Sequence, residues 1–179
     1  MKKIILTVFA ASSLLLYSTQ AFALLSVSVG VPLSYNYTEG GSNTNMEGYF
    51  LGVQLPFALG LGMDSHKLKS DTGSTELHTN MYNLFYQLPI PVINLILGVG
   101  TGNQEYKCDN WGDGTSCSDA LDKGSATQLY TSVGFPIMPL FDVHISYRMI
   151  TSKNIKIKET GAKIDFSGSV TGIGFAFNF

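Results

Sequence analysis

The amino-acid sequence predicts an all-β protein: an eight-stranded antiparallel up-and-down transmembrane β-barrel that follows a cleaved signal peptide. Three observations predict this fold. Only 13% of the 179 residues are charged, whereas a typical soluble domain is about 25% charged. Apolar residues alternate with small or polar ones through most of the chain, which is the period of a β-strand. Short connections that contain proline alternate with long polar ones, as strands running up and down require.

The same composition excludes several functional classes. A disordered chain would carry more charge and fewer aromatic residues than the 12% found here. After the N-terminal segment there is no apolar run of about 18 residues that would form a transmembrane helix. The formal net charge of −2 gives no excess of Lys and Arg for binding nucleic acid. We therefore expect neither a nucleic-acid partner nor a helical membrane protein.

The N-terminal residues have the three parts of a secretory signal peptide. Lys2–Lys3 is a basic start, Ile4–Tyr17 is almost entirely apolar, and Ala21–Ala23 is a cleavage site of the small-x-small type. The sequence therefore predicts a signal peptide at residues 1–23 and a barrel domain at residues 24–179.

Eight alternating segments account for the rest of the chain. In the first, Leu25–Tyr37, the odd positions are apolar and the even positions are small or polar. The last, Gly172–Phe179, has Ile173 and three phenylalanines on one face. The six segments between them are Met46–Leu55, Phe57–Leu68, Glu76–Leu88, Val92–Tyr106, Ser125–Phe135 and Leu140–Thr151. Each has one apolar face, so all eight are predicted to be strands.

The connections between these strands are of two kinds. Three are short, apolar and contain proline, which ends strand pairing because it lacks an N–H. Four are longer and polar: Glu39–Asn45, Lys69–Thr75, Lys107–Gly124 and Ser152–Thr160. Short turns at one end and long loops at the other predict a meander that has both termini at the short-turn end.

The non-apolar face of the strands favours a membrane barrel over a soluble one. In a soluble barrel this face meets water and carries charge, but here it is dominated by Gly, Ser and Thr. Small side chains suit the narrow interior of an eight-stranded barrel. Aromatic residues near strand ends, among them Tyr35, Tyr37, Tyr49, Tyr86 and Phe135, are typical of the girdles at the two membrane interfaces. The apolar face is therefore predicted to point outward, to lipid.

In these features the sequence resembles the small outer-membrane β-barrel superfamily of the OmpA/OmpX-like type. In the terminal strand, Phe175, Phe177 and Phe179 resemble the C-terminal signal read by the barrel insertion machinery. The resemblance implies the outer membrane of a Gram-negative bacterium, contact with outer-membrane lipid and lipopolysaccharide, and a monomer. The better-known members of this group have charged lumens, whereas the lumen predicted here is rich in glycine. No cofactor is expected.

A few charged residues fall on the predicted inward face. Glu47, Asp64 and Arg148 are expected at similar heights on the second, third and seventh strands. A buried arginine requires a carboxylate partner, so we predict a lumen ion cluster in which Arg148 pairs with Asp64 or Glu47. A structural plug is the favoured interpretation, and a gate in a narrow ion path is the alternative.

His144 and Ser146 share one face of the seventh strand, and Glu159 follows in the next loop. Their spacing is similar to the His-x-Ser…Glu arrangement of outer-membrane lipid A deacylases. That resemblance implies a serine nucleophile, a histidine base and a glutamate that orients the base. Three features count against it. The pair is predicted to face the lumen, and His144 is expected near the short-turn end, far from the loop that contains Glu159. Tyr147 also follows Ser146 where the enzymes have asparagine.

The third long loop carries its own candidate features. Cys108 and Cys117 flank a polar segment in an exported chain, which predicts one disulfide. Trp111, near the middle of this loop, is a candidate recognition residue. Five oxygen-bearing residues surround the cysteines and are interpreted as a solvated acidic loop, with weak Ca²⁺ binding as the alternative: Asp109, Asn110, Asp113, Asp119 and Asp122.

From these features we expect a non-enzymatic integral outer-membrane protein with a structural or surface-interaction role, whose extracellular ligand the sequence does not identify. A lipid A deacylase and a narrow channel for small solutes are the alternatives. The channel is disfavoured because eight strands leave an interior that side chains nearly fill.

Overall fold

The computed structural model describes residues 25–38, 42–43, 45–70, 75–88, 90, 93–108, 121, 123–153, 155–158, 161 and 163–179. The signal peptide predicted at residues 1–23 lies outside these ranges and stays a prediction. Within these ranges, no helix has the length and apolar character needed to cross a membrane.

Eight long antiparallel strands form a closed barrel, which confirms the predicted fold. They are β1 (Ser26–Tyr37), β2 (Met46–Gln54), β3 (Leu59–Lys69), β4 (Thr75–Leu88), β5 (Asn94–Cys108), β6 (Gly124–Met138), β7 (Phe141–Ser152) and β8 (Gly168–Asn178). Each strand pairs with its neighbours in sequence, and β8 pairs with β1 to close the barrel. Two-residue strands at Ser42–Asn43, Ile155–Lys156 and Lys163–Ile164 lie in the long connections.

The short connections hold the strand ends together at one end of the barrel. Between β2 and β3 the chain makes a single 3₁₀ turn at Pro56–Ala58, where the Leu55 N–H donates to the Leu59 carbonyl at 2.7 Å. The first strand begins and the last strand ends at this end, where Ser26 pairs with Asn178.

The apolar face of the strands points outward, as predicted. We call this surface the apolar belt. Its side chains are exposed on the barrel exterior in every strand, and among them are Val27, Val29, Val31, Leu51, Val53, Leu61, Leu84, Leu97, Val99, Leu129, Ile145, Met149, Ile173 and Phe175. Exposed apolar side chains over the whole girth of a barrel are typical of a surface covered by lipid.

A β-bulge in β1 corrects one expectation about the aromatic girdle. The register of β1 against β8 shifts between Pro32 and Ser34, and a bulge is one of the few places where a strand accepts proline. The extra residue reverses the alternation, so Tyr35 points into the barrel with 0% of its surface exposed. Tyr35 is therefore a core residue and not a member of the outer girdle.

The barrel interior is filled by side chains in two layers. Towards the long loops lies a mainly apolar layer, which we call the upper core: Tyr35, Phe50, Leu68, Leu77, Met81, Ala126, Ile150 and Val170. The polar side chains of His66, Thr79 and Gln104 are buried among them. Towards the short turns, Phe85, Ile96 and Tyr130 pack together among buried polar side chains. Glycines make room for the rings. A Cβ built on Gly98 would lie 2.1 Å from the Tyr130 ring, and one on Gly60 would lie 2.1 Å from Phe85.

Candidate functional site

A buried ion pair crosses the lumen between opposite walls. Nε of Arg148, on β7, donates to Oδ2 of Asp64, on β3, at 2.9 Å. Both side chains are almost completely buried. Since the eight strands follow one another around the barrel, β3 and β7 are four strands apart and face each other. The predicted pairing of Arg148 with Asp64 is thus present and spans the interior.

Neighbouring strands surround this pair with further contacts. Nε2 of Gln128 donates to Asp64 Oδ2 at 2.7 Å and to Asn83 Oδ1 at 2.9 Å. The guanidinium carbon of Arg148 lies 3.5 Å from the centre of the Phe50 ring and 5.2 Å from that of Tyr130. Cation–π contacts of this kind are stronger away from water, so the rings hold the arginine in place and occupy the lumen around it.

The space left beside Arg148 is small. A cavity of about 50 Å³ lies against Phe50, Asn83, His144 and Arg148. Such a volume has room for a few water molecules. The upper core closes the lumen on the long-loop side of this cavity, so the described side chains leave no continuous wide path through the barrel.

Glu47 does not join the lumen cluster, which corrects that part of the expectation. Its carboxylate lies outside the barrel, 2.5 Å from Nζ of Lys69 and 3.6 Å from Nζ of Lys67. The physical reason is the alternation of the strand: Glu47 is two residues from Tyr49, and the two therefore share the outward face of β2. Asp64 is the carboxylate partner of Arg148.

His144 and Ser146 both point into the lumen, but they do not form the hydrogen bond of a nucleophile and its base. The Ser146 hydroxyl donates to the Gly172 carbonyl at 3.3 Å and accepts from a terminal nitrogen of Arg148. Nδ1 of His144 lies 3.3 Å from the Ser132 hydroxyl. Glu159 lies outside the described residues. The geometry therefore does not favour the deacylase alternative.

A second polar cluster at the short-turn end was not predicted. Asp142 is buried, and its Oδ2 accepts from the side-chain amides of Asn94 and, at 2.9 Å, Asn178. Nε2 of His144 lies 3.9 Å from the same oxygen. The cluster links β5, β7 and β8 near the C-terminus. The available sequence signal was Asp142 itself, the only polar residue in the otherwise apolar segment 135–143.

At the other end, the fourth long loop is folded onto its own small core. Lys156 pairs with Lys163 and Ile155 pairs with Ile164 in a two-stranded hairpin. Ile155 is buried against Leu121 of the third loop, with Ile164 and Phe166 packed beside them. Because neighbouring residues of a strand point to opposite faces, the isoleucines anchor the hairpin and the lysines face away from its core.

The fourth loop carries an excess of positive charge on its exposed face. We call this set the hairpin lysines: Lys153, Lys156, Lys158 and Lys163, all of them exposed. Between residues 152 and 167 the sequence contains two acidic residues, Glu159 and Asp165. The hairpin is thus a basic surface on a packed base, just outside the belt.

Several predicted loop features fall outside the described residues. Cys108 ends β5, but Cys117 lies outside the described part of the chain, so the disulfide stays a prediction. The same holds for Trp111 and for the acidic residues of the third loop.

The terminal aromatic residues occupy the end of β8. Phe175 is exposed on the belt. The Phe177 ring lies 4.7 Å from Phe141 and 4.4 Å from Phe179 between ring centres. Recognition of Phe175, Phe177 and Phe179 by the insertion machinery stays a prediction.

Comparison with solved structures shows what this fold is similar to. Neisserial surface protein A has a TM-score of 0.60 at 13% identity, over 87% of this chain and 97% of that one. Escherichia coli outer membrane protein W has a TM-score of 0.54 at 13% identity, over 87% of this chain and 97% of that one. The attachment invasion locus protein Ail of Yersinia pestis has a TM-score of 0.53 at 15% identity, over 86% of this chain and 96% of that one. No family model and no curated relative matches the sequence.

These similarities define the class of the fold. The chain has the fold of the small eight-stranded outer-membrane β-barrels. Its apolar belt gives that fold the exterior that a bilayer covers. Fold and belt together indicate a location in the outer membrane of a Gram-negative bacterium. In that membrane we expect the long loops outside the cell and the short turns in the periplasm.

Proposed function

We propose that this protein is a non-enzymatic outer-membrane barrel that anchors a basic extracellular surface for binding anionic groups. The observation that carries the proposal is the set of hairpin lysines, exposed on a hairpin whose isoleucines pack against the third loop. The packed isoleucines hold the backbone that carries Lys156 and Lys163, and Lys153 and Lys158 lie close to it in the chain. This reduces the entropy lost when a ligand orders them.

The interior of the barrel supports a role outside the lumen. Arg148, Asp64 and the surrounding rings occupy the lumen, and the upper core lies above them. A channel for small solutes would need a continuous polar path, and a lipid-cleaving serine would have to reach lipid. Ser146 is buried and bonded to Arg148.

The ligand chemistry follows from the lysines. Ammonium groups bind phosphate and sulfate as compact point charges. The outer leaflet around a Gram-negative barrel offers such groups in the phosphates of lipopolysaccharide. A structure of the similar barrel Ail has been solved in complex with the heparin analogue sucrose octasulfate, a polyanion of the kind that the hairpin lysines would bind.

Binding of sucrose octasulfate and of lipopolysaccharide to the full chain in lipid nanodiscs tests the proposal. Replacing the four hairpin lysines by Gln is expected to weaken binding of both and to flatten its dependence on salt, because fewer charges are neutralised. The matched control is Lys67→Gln with Lys69→Gln, which removes two lysines that face Glu47. Equal binding by the four-lysine variant and the unaltered protein would refute the basic surface. If the four-lysine variant loses binding of only one of the two probes, that probe identifies the ligand class.

Lipid A analysis tests the non-enzymatic part of the proposal. We expect the mass of lipid A from expressing cells to be the same with the unaltered protein and with Ser146→Ala. An acyl chain removed by the unaltered protein and retained with Ser146→Ala would restore the deacylase.

A further inference from the structure

The periplasmic turns at 55–59 and 135–141 form an apolar surface that the barrel itself leaves uncovered. Phe57 is 92% exposed, and Ile137 and Met138 are 60% and 57% exposed. Segments 55–59, 88–94 and 135–141 contain no Lys, Arg, Asp or Glu. Turns that face water are usually built from Gly, Asn, Asp and Ser. An exposed apolar surface of this kind indicates contact with an apolar partner.

The turn at Phe57 shows that this apolar character is not required by the backbone. Phe57 has φ 73° and ψ 23°, and Ala58 has φ 65°. Glycine or asparagine adopts this left-handed conformation at a lower cost than phenylalanine. A phenylalanine at this position makes little contact with its own protein. Its ring is stabilised only when something apolar surrounds it.

The backbone of the turns is also suited to an environment without water. Five of the six prolines of the chain lie in these segments: Pro56, Pro89, Pro91, Pro136 and Pro139. Each proline removes a backbone donor. The Leu55 N–H is bonded to the Leu59 carbonyl at 2.7 Å, and the Ile90 N–H to the Leu88 carbonyl at 2.8 Å. Each donor that a proline removes or that is bonded within the turn lowers the penalty for placing a connection in lipid.

The height of the apolar belt also favours an environment without water around the turns. On β7 the outward run from Phe141 to Met149 covers eight residue steps, about 26 Å along the strand and about 20 Å along the membrane normal at a tilt of about 40°. The apolar band of outer-membrane barrels is about 25 Å high. Side chains of the turns, such as Phe57 and Ile137, extend the belt towards this height.

We infer that the periplasmic turns at 55–59 and 135–141 insert among the acyl chains of the phospholipid leaflet that faces the periplasm. The partner of this surface is lipid, because the turns continue the apolar belt and carry no charge. The inference rests on the proposed outer-membrane location. It makes the barrel asymmetric, with a charged rim at the extracellular end and an immersed periplasmic end.

Tryptophan fluorescence of the full chain in nanodiscs tests the inference, because both faces of a nanodisc are open to the buffer. Trp111, the only tryptophan, is replaced by Phe, and single tryptophans are introduced as Phe57→Trp and, in a second turn, Ile137→Trp. Tyr82→Trp on the belt and Ser125→Trp, exposed near the extracellular end, are the controls. The probes are phosphatidylcholine brominated in mid-chain and iodide in the buffer.

We expect the bromolipid to quench Phe57→Trp and Ile137→Trp as strongly as Tyr82→Trp, and iodide to quench only Ser125→Trp. The heat-dependent shift on gels shows that each variant is folded. Iodide quenching of both turn variants, with Tyr82→Trp still quenched by bromolipid, would overturn the inference and make a periplasmic protein the occupant of this surface. If Tyr82→Trp also escaped the bromolipid, the membrane location would fail together with the inference.

Discussion

Arg148 and Asp64 connect opposite walls of the barrel through one hydrogen bond of 2.9 Å. The strands that carry them, β7 and β3, share no backbone pairing, so this contact fixes a distance that the sheet alone does not. Gln128 ties the same carboxylate to Asn83. The lumen is thereby cross-linked between strands that lie far apart in the sheet.

Breaking this pair should destabilise the barrel strongly. Asp64→Asn leaves the charge of Arg148 buried without its counter-charge, and removing one partner of a buried ion pair typically costs about 3–5 kcal/mol. Replacing both residues, as Asp64→Leu with Arg148→Met, should cost less free energy than the sum of the losses from Asp64→Leu and Arg148→Met made separately. Urea unfolding of protein folded in lipid vesicles measures these free energies. Additive losses in the double variant would mean that the two residues do not act as a pair.

Removing the arginine side chain should not open a channel. Arg148→Ala empties space beside Phe50 and Tyr130, but the upper core still closes the barrel towards the extracellular loops. We therefore expect planar bilayers with the unaltered protein and with Arg148→Ala to show the same baseline conductance. Stable single-channel steps that appear only with Arg148→Ala would instead assign Arg148 to a gate.

Gly98 should be intolerant of a side chain because a tyrosine ring covers it. A methyl group on Gly98 would lie 2.1 Å from the Tyr130 ring, and overpacking of an interior typically costs about 1–3 kcal/mol. Gly62→Ala is the matched control, since its nearest neighbour is the Leu51 carbonyl at 3.0 Å. Urea unfolding should show a larger loss for Gly98→Ala than for Gly62→Ala. Equal losses would mean that the ring moves aside freely.

The sequence was sufficient to predict the strands and the direction of their faces. From Leu25 to Leu33 and from Tyr49 to Leu55, apolar residues occupy every second position, and each of these side chains points outward. Lipid favours apolar groups at the exposed positions of a membrane strand, so the alternation in these segments is regular. The partner of Arg148 could be anticipated because a buried arginine needs a carboxylate.

The remaining features depend on strand register and on contacts between strands, which the alternation of residues within one strand does not reveal. The bulge that turns Tyr35 inward changes the phase by one residue, and nothing in the local pattern beyond Pro32 marks it. Gly98 and Tyr130 are opposite one another only once the register of β5 and β6 is known. The position of Glu47 was predictable from its shared parity with Tyr49, and the expected lumen location neglected that parity.

The ion pair of Glu47 and Lys69, at the extracellular end of the barrel, should shift the pKa of both groups in a titration. The hydrogen bond from Lys69 lowers the pKa of Glu47 from its ordinary value of 4.5, and the charges of Lys69 and, to a lesser degree, Lys67 add to this. Because the pKa is lowered on folding, the contribution of Glu47 to stability is present above pH 4.5 and is lost as the pH falls through the lowered value. The pKa of Lys69 is raised from 10.5 by the same bond, so its contribution is lost only as the pH rises through that raised value.

NMR titration of the Glu47 carboxyl carbon checks this arrangement. Lys69→Met should return the pKa of Glu47 towards 4.5 by more than Lys67→Met does, because Lys69 contributes the largest part of the shift. A larger effect of Lys67→Met would reverse the assignment of the main partner. Both groups are exposed, so neither change should alter the urea midpoint measurably.

Tyr35 should contribute to stability through its ring and, separately, through its hydroxyl. The ring is completely buried in the upper core, and loss of a large buried aromatic side chain typically costs about 3–5 kcal/mol. The hydroxyl donates to the Phe166 carbonyl at 2.5 Å, and Phe166 stacks on Tyr106 beneath the fourth-loop hairpin. Tyr35→Ala should therefore lower the free energy of unfolding by several times the roughly 1 kcal/mol expected for Tyr35→Phe.

The smaller change, Tyr35→Phe, tests whether Tyr35 is a core residue placed by the bulge or a residue of the outer aromatic girdle. Tyr82→Phe is the control, because Tyr82 points outward from β4 and is exposed. We expect Tyr35→Phe, but not Tyr82→Phe, to speed proteolysis within the fourth loop, since only Tyr35 is bonded to the segment that supports the hairpin. Equal protease sensitivity of the two variants would show that the hydroxyl of Tyr35 does not hold the loop. The basic hairpin would then depend on the packed cluster around Ile155 and Leu121.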